Sequence, residues 1–127
     1  MTRLMLDSWA WIEYFLGSKA GLLVKRHLEE EEAYTHSVTI SEVISKLRRQ
    51  GKDIDNARQA FAALPRIVDT DRSAAAKVGE LHARMRADVP NFSLADAFVL
   101  EAARRLELKV LTGDPDFRGI KEAEFLE

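Results

Sequence analysis

Along the chain, short unbroken apolar runs alternate with longer stretches in which apolar residues recur at helical period. "RLML" (3–6) predicts a buried strand. Trp9, Ile12 and Leu16 follow at helical spacing and predict a helix over 8–16 with those three facing the core, leaving Trp11 and Tyr14 on another side. "AGLLVKRHLEEEEA" (20–33) predicts a second amphipathic helix whose Glu29 to Glu32 run is a solvated end. "YTHSV" (34–38) predicts a strand and "TISEVISKLRRQ" (39–50) a helix stopped at Gly51. Then come a helix over 53–63 ended by Pro65, a strand at "RIVDT" (66–70) and a helix over 72–86. The last pair is "SLADAFVLEAARRLE" (93–107), a helix apolar on most of its circumference, and "LKVLT" (108–112), a strand. "IKEAEFL" (120–126) adds a fifth strand if it pairs at the edge.

Strands alternating with helices predict an α/β fold: a parallel four- or five-stranded sheet flanked by helices on both faces. Without repeats, low-complexity tracts or linkers, residues 1–127 are read as a single domain, long enough to bury a proper core. An apolar fraction of 46% and a charged fraction of 31% exclude a disordered chain. The net charge of −2 does not announce a nucleic-acid binder, and no stretch approaches a membrane span. The chain has no cysteine, which removes disulfides and thiolate zinc sites. The apolar run in "MTRLMLD" is too short for a signal peptide, so a cytoplasmic protein is expected.

The candidate chemistry is acidic. Asp7 follows the first strand, Glu42 lies in the first turn after the second, and Asp96 lies in the first turn of the helix before the fourth. Asp114 follows the fourth strand in "VLTGDPDF" (110–117). Each has a plain structural explanation. Asp7 or Ser8 caps a helix, Thr39 to Glu42 and Ser93 to Asp96 have capping-box spacing, and Asp114-Pro115 reads as a cap with proline at the first helical position. Glu42 also has Lys46 four residues on, an ordinary helix-surface pair. Asp96 fits this explanation least, because Leu100 and Ala103 share its face and a buried carboxylate is costly unless paired or bound to a cation. Sheets of this kind bind ligands beyond the strand carboxyl ends. All four acids are expected at that edge, where mutual repulsion is relieved only by a cation. His27, His36 and His82 are scattered, so an all-oxygen donor set selects Mg²⁺ or Mn²⁺ over zinc.

Strand–Asp7-Ser8, Glu42 after "SVTISEV", "SLADAFVLEAA" and "VLTGDPDF", in that order, resemble a PIN domain, and the short length resembles a VapC-type toxin of a toxin–antitoxin pair. The resemblance implies a single PIN-like domain acting as a Mg²⁺- or Mn²⁺-dependent endoribonuclease with Asp7, Glu42, Asp96 and Asp114 as its acidic quartet. It implies Asp7 and Asp96 as the most direct metal ligands, Glu42 orienting or activating the attacking water, and Asp114 completing the pocket. Ser8, Thr112 and Ser93 would support the site, with Asp116 an accessory acid. It also implies RNA as substrate, a homodimer, and a cognate antitoxin whose C-terminal segment covers the groove. Trp9 stands where a small polar residue is common, and Gly113 and Pro115 stiffen the last motif. Trp11 and Tyr14 are candidate antitoxin contacts, as aromatic anchors are at interfaces. Lys46 and Arg49, in the cluster with Arg48 and Lys52, are candidate contacts to RNA phosphates, as are Arg84 and Arg86. The solvated helix face is the plain reading of both clusters. Arg104 and Arg105 are read as helix C-terminal charges.

Three other classes compete. A receiver-like signalling domain needs a lysine after its last strand and a pair of acids after its first, and neither is present. A catalytically dead PIN-like binding module is at odds with four retained acids. An RNA-processing nuclease that is not a toxin shares the chemistry and differs only in its biological setting.

Overall fold

The computed structural model describes residues 2–126, and within them a five-stranded, fully parallel sheet carries helices on both faces. The strands are β1 (Arg3–Leu6), β2 (Glu32–His36), β3 (Ile67–Val68), β4 (Lys109–Thr112) and β5 (Ala123–Phe125), in the order β3-β2-β1-β4-β5. The helices are α1 (Ser8–Leu16), α2 (Lys19–Glu30), α3 (Ser37–Arg49), α4 (Asp55–Ala62), α5 (Arg72–Asp88) and α6 (Leu94–Leu106). None is long and apolar enough to cross a membrane.

Strand side chains alternate between faces, so each strand feeds two cores. Met5 and Val110 pack with α5 and α6 around Leu81, Phe92, Leu100 and Phe117. Leu4, Leu6 and Leu111 pack on the other face with Trp11, Val24, Val43, Leu47 and Phe61 from α1 to α4. The chain winds outward from β1 through β2 to β3, then returns to place β4 on the other side of β1. That reversal lies between β1 and β4, where Leu6 pairs with Leu111, so Asp7 emerges beside Thr112.

Three expectations are corrected. β2 occupies Glu32–His36 rather than 34–38, because His36 Nδ1 accepts from the Val38 amide and starts α3 at Ser37. Its Nε2 therefore carries the proton and donates to Thr70 Oγ1, joining the ends of β2 and β3. Glu32 thus leaves the helix for a strand, where its carboxylate accepts from the Tyr34 hydroxyl and approaches Arg3. The capping box at Thr39 to Glu42 does not form: Thr39 is already inside α3 and fully buried.

The face of α1 is the third. Trp11, not Leu16, points inward: Trp11 is 2% exposed and Leu16 46%. Trp11 stacks on Phe15, meets Tyr14 and Phe61 edge-on, and donates from Nε1 to Thr35 Oγ1 at 3.1 Å. A side chain so enclosed has no surface to offer a partner, so Trp11 is a core residue rather than an antitoxin anchor. Tyr14 is half-buried against the same aromatic cluster.

Candidate active site

The acids do gather at the switch point. Asp114 follows β4 and caps a single 3-10 turn, Pro115–Phe117, its Oδ1 accepting from the Asp116 amide at 2.9 Å. Proline at the first position fixes this turn, which brings Asp116 back beside Asp114. On α6, Ser93 and Asp96 form the expected capping box: Ser93 Oγ accepts from the Asp96 amide, and Asp96 Oδ2 accepts from the Ser93 amide, both at 3.0 Å. One carboxylate oxygen from each of Asp96, Asp114 and Asp116 lies within 4.8 Å of the others.

Asp7 lies deeper and is 2% exposed. Its Oδ1 caps α1 by accepting from the Ala10 amide at 2.9 Å, and its Oδ2 accepts from the Thr112 hydroxyl. Thr112 Oγ1 also accepts from the Asp114 amide at 3.0 Å, so one buried hydroxyl ties the end of β1 to the turn after β4. Burial pushes the Asp7 carboxyl up to about 7, against these two hydrogen bonds and with help from the charges of Asp96 and Asp114. Asp96 is raised by burial, partly offset by Ser93, with Asp114 and Asp116 adding to the rise. Asp116 is raised by burial and by Asp114.

Glu42 projects from α3 half-buried. Burial and then Asp96 raise it, a Ser8 hydrogen bond lowers it, and Asp114 and Lys46 act in opposite directions. No ion pair reaches any of these five acids among the described residues. A groove of about 410 Å³ continues from Glu42 along α3, lined by Ser8, Ser41, Ser45, Lys46 and Arg49.

The structure thus brings Asp96, Asp114 and Asp116 into one group, with Asp7 and Glu42 coupled to it electrostatically. Asp116, expected as an accessory, is a full member. Thr112, Ser93 and Ser8 each contact an acid of the site, and Lys46 and Arg49 line the adjoining groove. The groove's Ser41 and Ser45 were missed by sequence reasoning, although their four-residue spacing beside Glu42 and Lys46 on one helix is the signal that finds them. Carboxylate donors without cysteine or histidine, unpaired and mutually repelling, fit a hard divalent cation.

Comparison with known proteins identifies the fold that carries this arrangement. The family model for the PIN domain matches residues 4–123. No curated protein matches the chain by sequence. Among solved structures, the chain is similar to VapC20 of Mycobacterium tuberculosis, described as a sarcin-ricin loop cleaving toxin. The TM-score is 0.75 at 18% identity, over 98% of this chain and 97% of that one. A toxin–antitoxin complex from Klebsiella pneumoniae gives 0.70 at 21% identity, over 94% of both chains. The DNA-bound VapBC of Salmonella typhimurium gives 0.70 at 20% identity, over 99% and 98%.

Proposed function

This chain belongs to the PIN domain family, and from that premise we propose that it is a divalent-cation-dependent endoribonuclease, the toxin of a VapBC-type toxin–antitoxin pair. The observation that carries this reading is the acid group: three carboxylates within 4.8 Å at the switch point, flanked by Asp7 and Glu42 and lacking any ion pair among the described residues. Bringing these like charges together costs electrostatic energy that a bound cation relieves. Asp96, Asp114 and Asp116 would hold Mg²⁺ or Mn²⁺, with Asp7 and Glu42 completing the negative pocket. A divalent ion bound there supplies charge neutralisation at a phosphoryl oxygen and lowers the pKa of water.

The chain's own residues do the rest. Thr112 and Ser93 hold the acids in place. Glu42, raised by burial and by Asp96, stands beside the acid group as the candidate to accept a proton from the attacking water. Lys46 and Arg49 offer positive charge to phosphates in the groove beside it. RNA as substrate and a cognate antitoxin as inhibitor draw on the likeness to a sarcin-ricin loop cleaving toxin and to toxin–antitoxin complexes; a homodimer and a cytoplasmic setting belong to the same proposal.

The test is incubation of the purified protein with a panel of RNAs in Mg²⁺, Mn²⁺ or EDTA, with Asp96→Asn as control. Cleavage that needs the metal and disappears in the variant is expected. An Asp96→Asn protein that cuts as well as the parent overturns the reading. Expression that arrests growth, relieved by co-expression of the adjacent gene, separates a toxin from an RNA-processing nuclease.

A further inference from the structure

The sequence keeps Arg84 and the Arg104-Arg105 pair apart, as charges on two separate helices. The structure joins them. Between α5 and α6 lies a cavity of about 380 Å³ lined by Lys77, Leu81, Arg84, Glu101, Arg104 and Arg105. Four cations face one carboxylate there, on a chain whose net charge is −2.

The cations are not equivalent. Arg105 is engaged by Glu101 at 3.2 Å and by the Asp69 carbonyl, so that guanidinium and the buried carboxylate cancel. Arg104 pairs with Glu122 at 3.3 Å. Lys77 and Arg84 have no hydrogen bond or ion pair among the described residues, and both are exposed. They stand seven residues apart on one face of α5, about 10 Å along its axis. Uncompensated charge at two such points suits a ligand carrying several negative charges along its length.

We propose that this cavity binds the phosphate backbone of the RNA strand at a point separate from the acid group. The inference rests on the proposed ribonuclease reading, which supplies a polyanion. It is placed to do so by α6, the helix that carries Asp96: Glu101 and Arg105 lie about 7 and 13 Å further along its axis. One strand of a few nucleotides spans that distance. Phosphate contacts of this kind add affinity and fix the path of the strand without reading its sequence. The cavity therefore favours long substrates over short ones and leaves the chemical step alone.

The experiment compares the parent with Lys77→Gln/Arg84→Gln, two exposed substitutions outside the acid group. Binding of a labelled unstructured 20-nucleotide RNA and of a tetranucleotide is followed by anisotropy in EDTA over a salt series. Loss of two phosphate contacts lowers the slope of log K against log salt by about 1.4. We expect that loss with roughly tenfold weaker binding of the long RNA, unchanged binding of the tetranucleotide, and an unchanged cleavage rate at saturating RNA in Mg²⁺. An unchanged slope for the long RNA overturns the proposal while the parent's metal-dependent cleavage leaves the ribonuclease reading standing. An unchanged slope with an altered oligomeric mass also overturns it and assigns the cavity to protein contact. A parent that neither binds nor cuts RNA overturns both.

Discussion

The indole of Trp9 occupies the space where a side chain on Gly113 would begin. A Cβ built on Gly113 would fall 2.4, 2.5 and 2.7 Å from ring atoms Cη2, Cζ2 and Cζ3 of Trp9. Two departures from the family pattern, a large residue after Asp7-Ser8 and a glycine before Asp114, therefore compensate each other. Both flank the site, so Trp9 packs against the segment that positions Asp114.

This pairing makes a prediction that neither residue makes alone. Gly113→Ala forces the ring to shift and should cost about 1–3 kcal/mol, the usual range for overpacking. Trp9→Ala leaves a gap and also destabilises. The double variant should be more stable than the two separate losses imply, because the clash disappears with the ring. Urea unfolding of all four proteins measures this coupling, and strict additivity would contradict the contact.

Thr112 is the second test. Replacing it with Val keeps the shape but leaves the buried Asp7 Oδ2 without its donor and the half-buried Asp114 amide without its acceptor. A loss of about 1–3 kcal/mol is expected, with nuclease activity reduced beyond the fraction unfolded. Thr112→Ser should restore most of both, since it returns the hydroxyl. Activity in the Val variant equal to the parent's would mean that the bridge does not position the acids.

Much of this was legible in the residues, for identifiable reasons. Leu4, Met5 and Leu6 form a continuous apolar run because β1 is covered on both faces, and the acids at strand ends were located by topology alone. The face of α1 was not legible. Trp9, Trp11, Ile12, Tyr14, Phe15 and Leu16 spread over more than half of the helix circumference, so periodicity does not fix the centre of the buried face, and the choice falls to partners such as Thr35 and Phe61 that lie far along the chain. The start of β2 was hidden because "EAYTH" opens on a charge whose strand position is set by Tyr34 and Arg3. Asp116 was undervalued because its place depends on how tightly the Asp114 cap closes the turn.

The raised Asp7 carboxyl gives a pH dependence with a definite sign. A folded-state pKa of about 7 lies above the ordinary aspartate value of 3.8, so the folded protein binds this proton more tightly than the unfolded chain. In metal-free protein, stability from Asp7 is therefore lost as pH rises from about 4 to 7, by up to about 1.4 kcal/mol per pH unit, and levels off above 7. His36, lowered by burial, acts oppositely at the acid end, so the comparison must be a difference. Stability of the parent minus that of Asp7→Asn, from unfolding in EDTA between pH 4.5 and 7.5, should fall with pH. A difference that rises with pH would refute the buried, proton-holding Asp7.

Metal should reverse that loss, and the donor set says which residues matter. A ligand that binds only the folded state stabilises by about 2.7 kcal/mol at a hundred times its Kd. Adding Mg²⁺ or Mn²⁺ to the EDTA-treated protein should raise Tm, with the larger gain at pH 7.5, where more of the carboxylates are ionised. Asp116→Asn removes the charge of one of the three clustered carboxylates and should lose most of the gain, as should Asp96→Asn. Asp53→Asn, exposed in the segment between α3 and α4, should keep all of it. Without metal, Asp96→Asn should be as stable as the parent or slightly more so, because a repelling charge has gone while one oxygen remains to accept from the Ser93 amide. Thermal melts of the four proteins with and without metal decide the matter. Equal gains in the parent, Asp116→Asn and Asp53→Asn would place the cation somewhere other than this cluster.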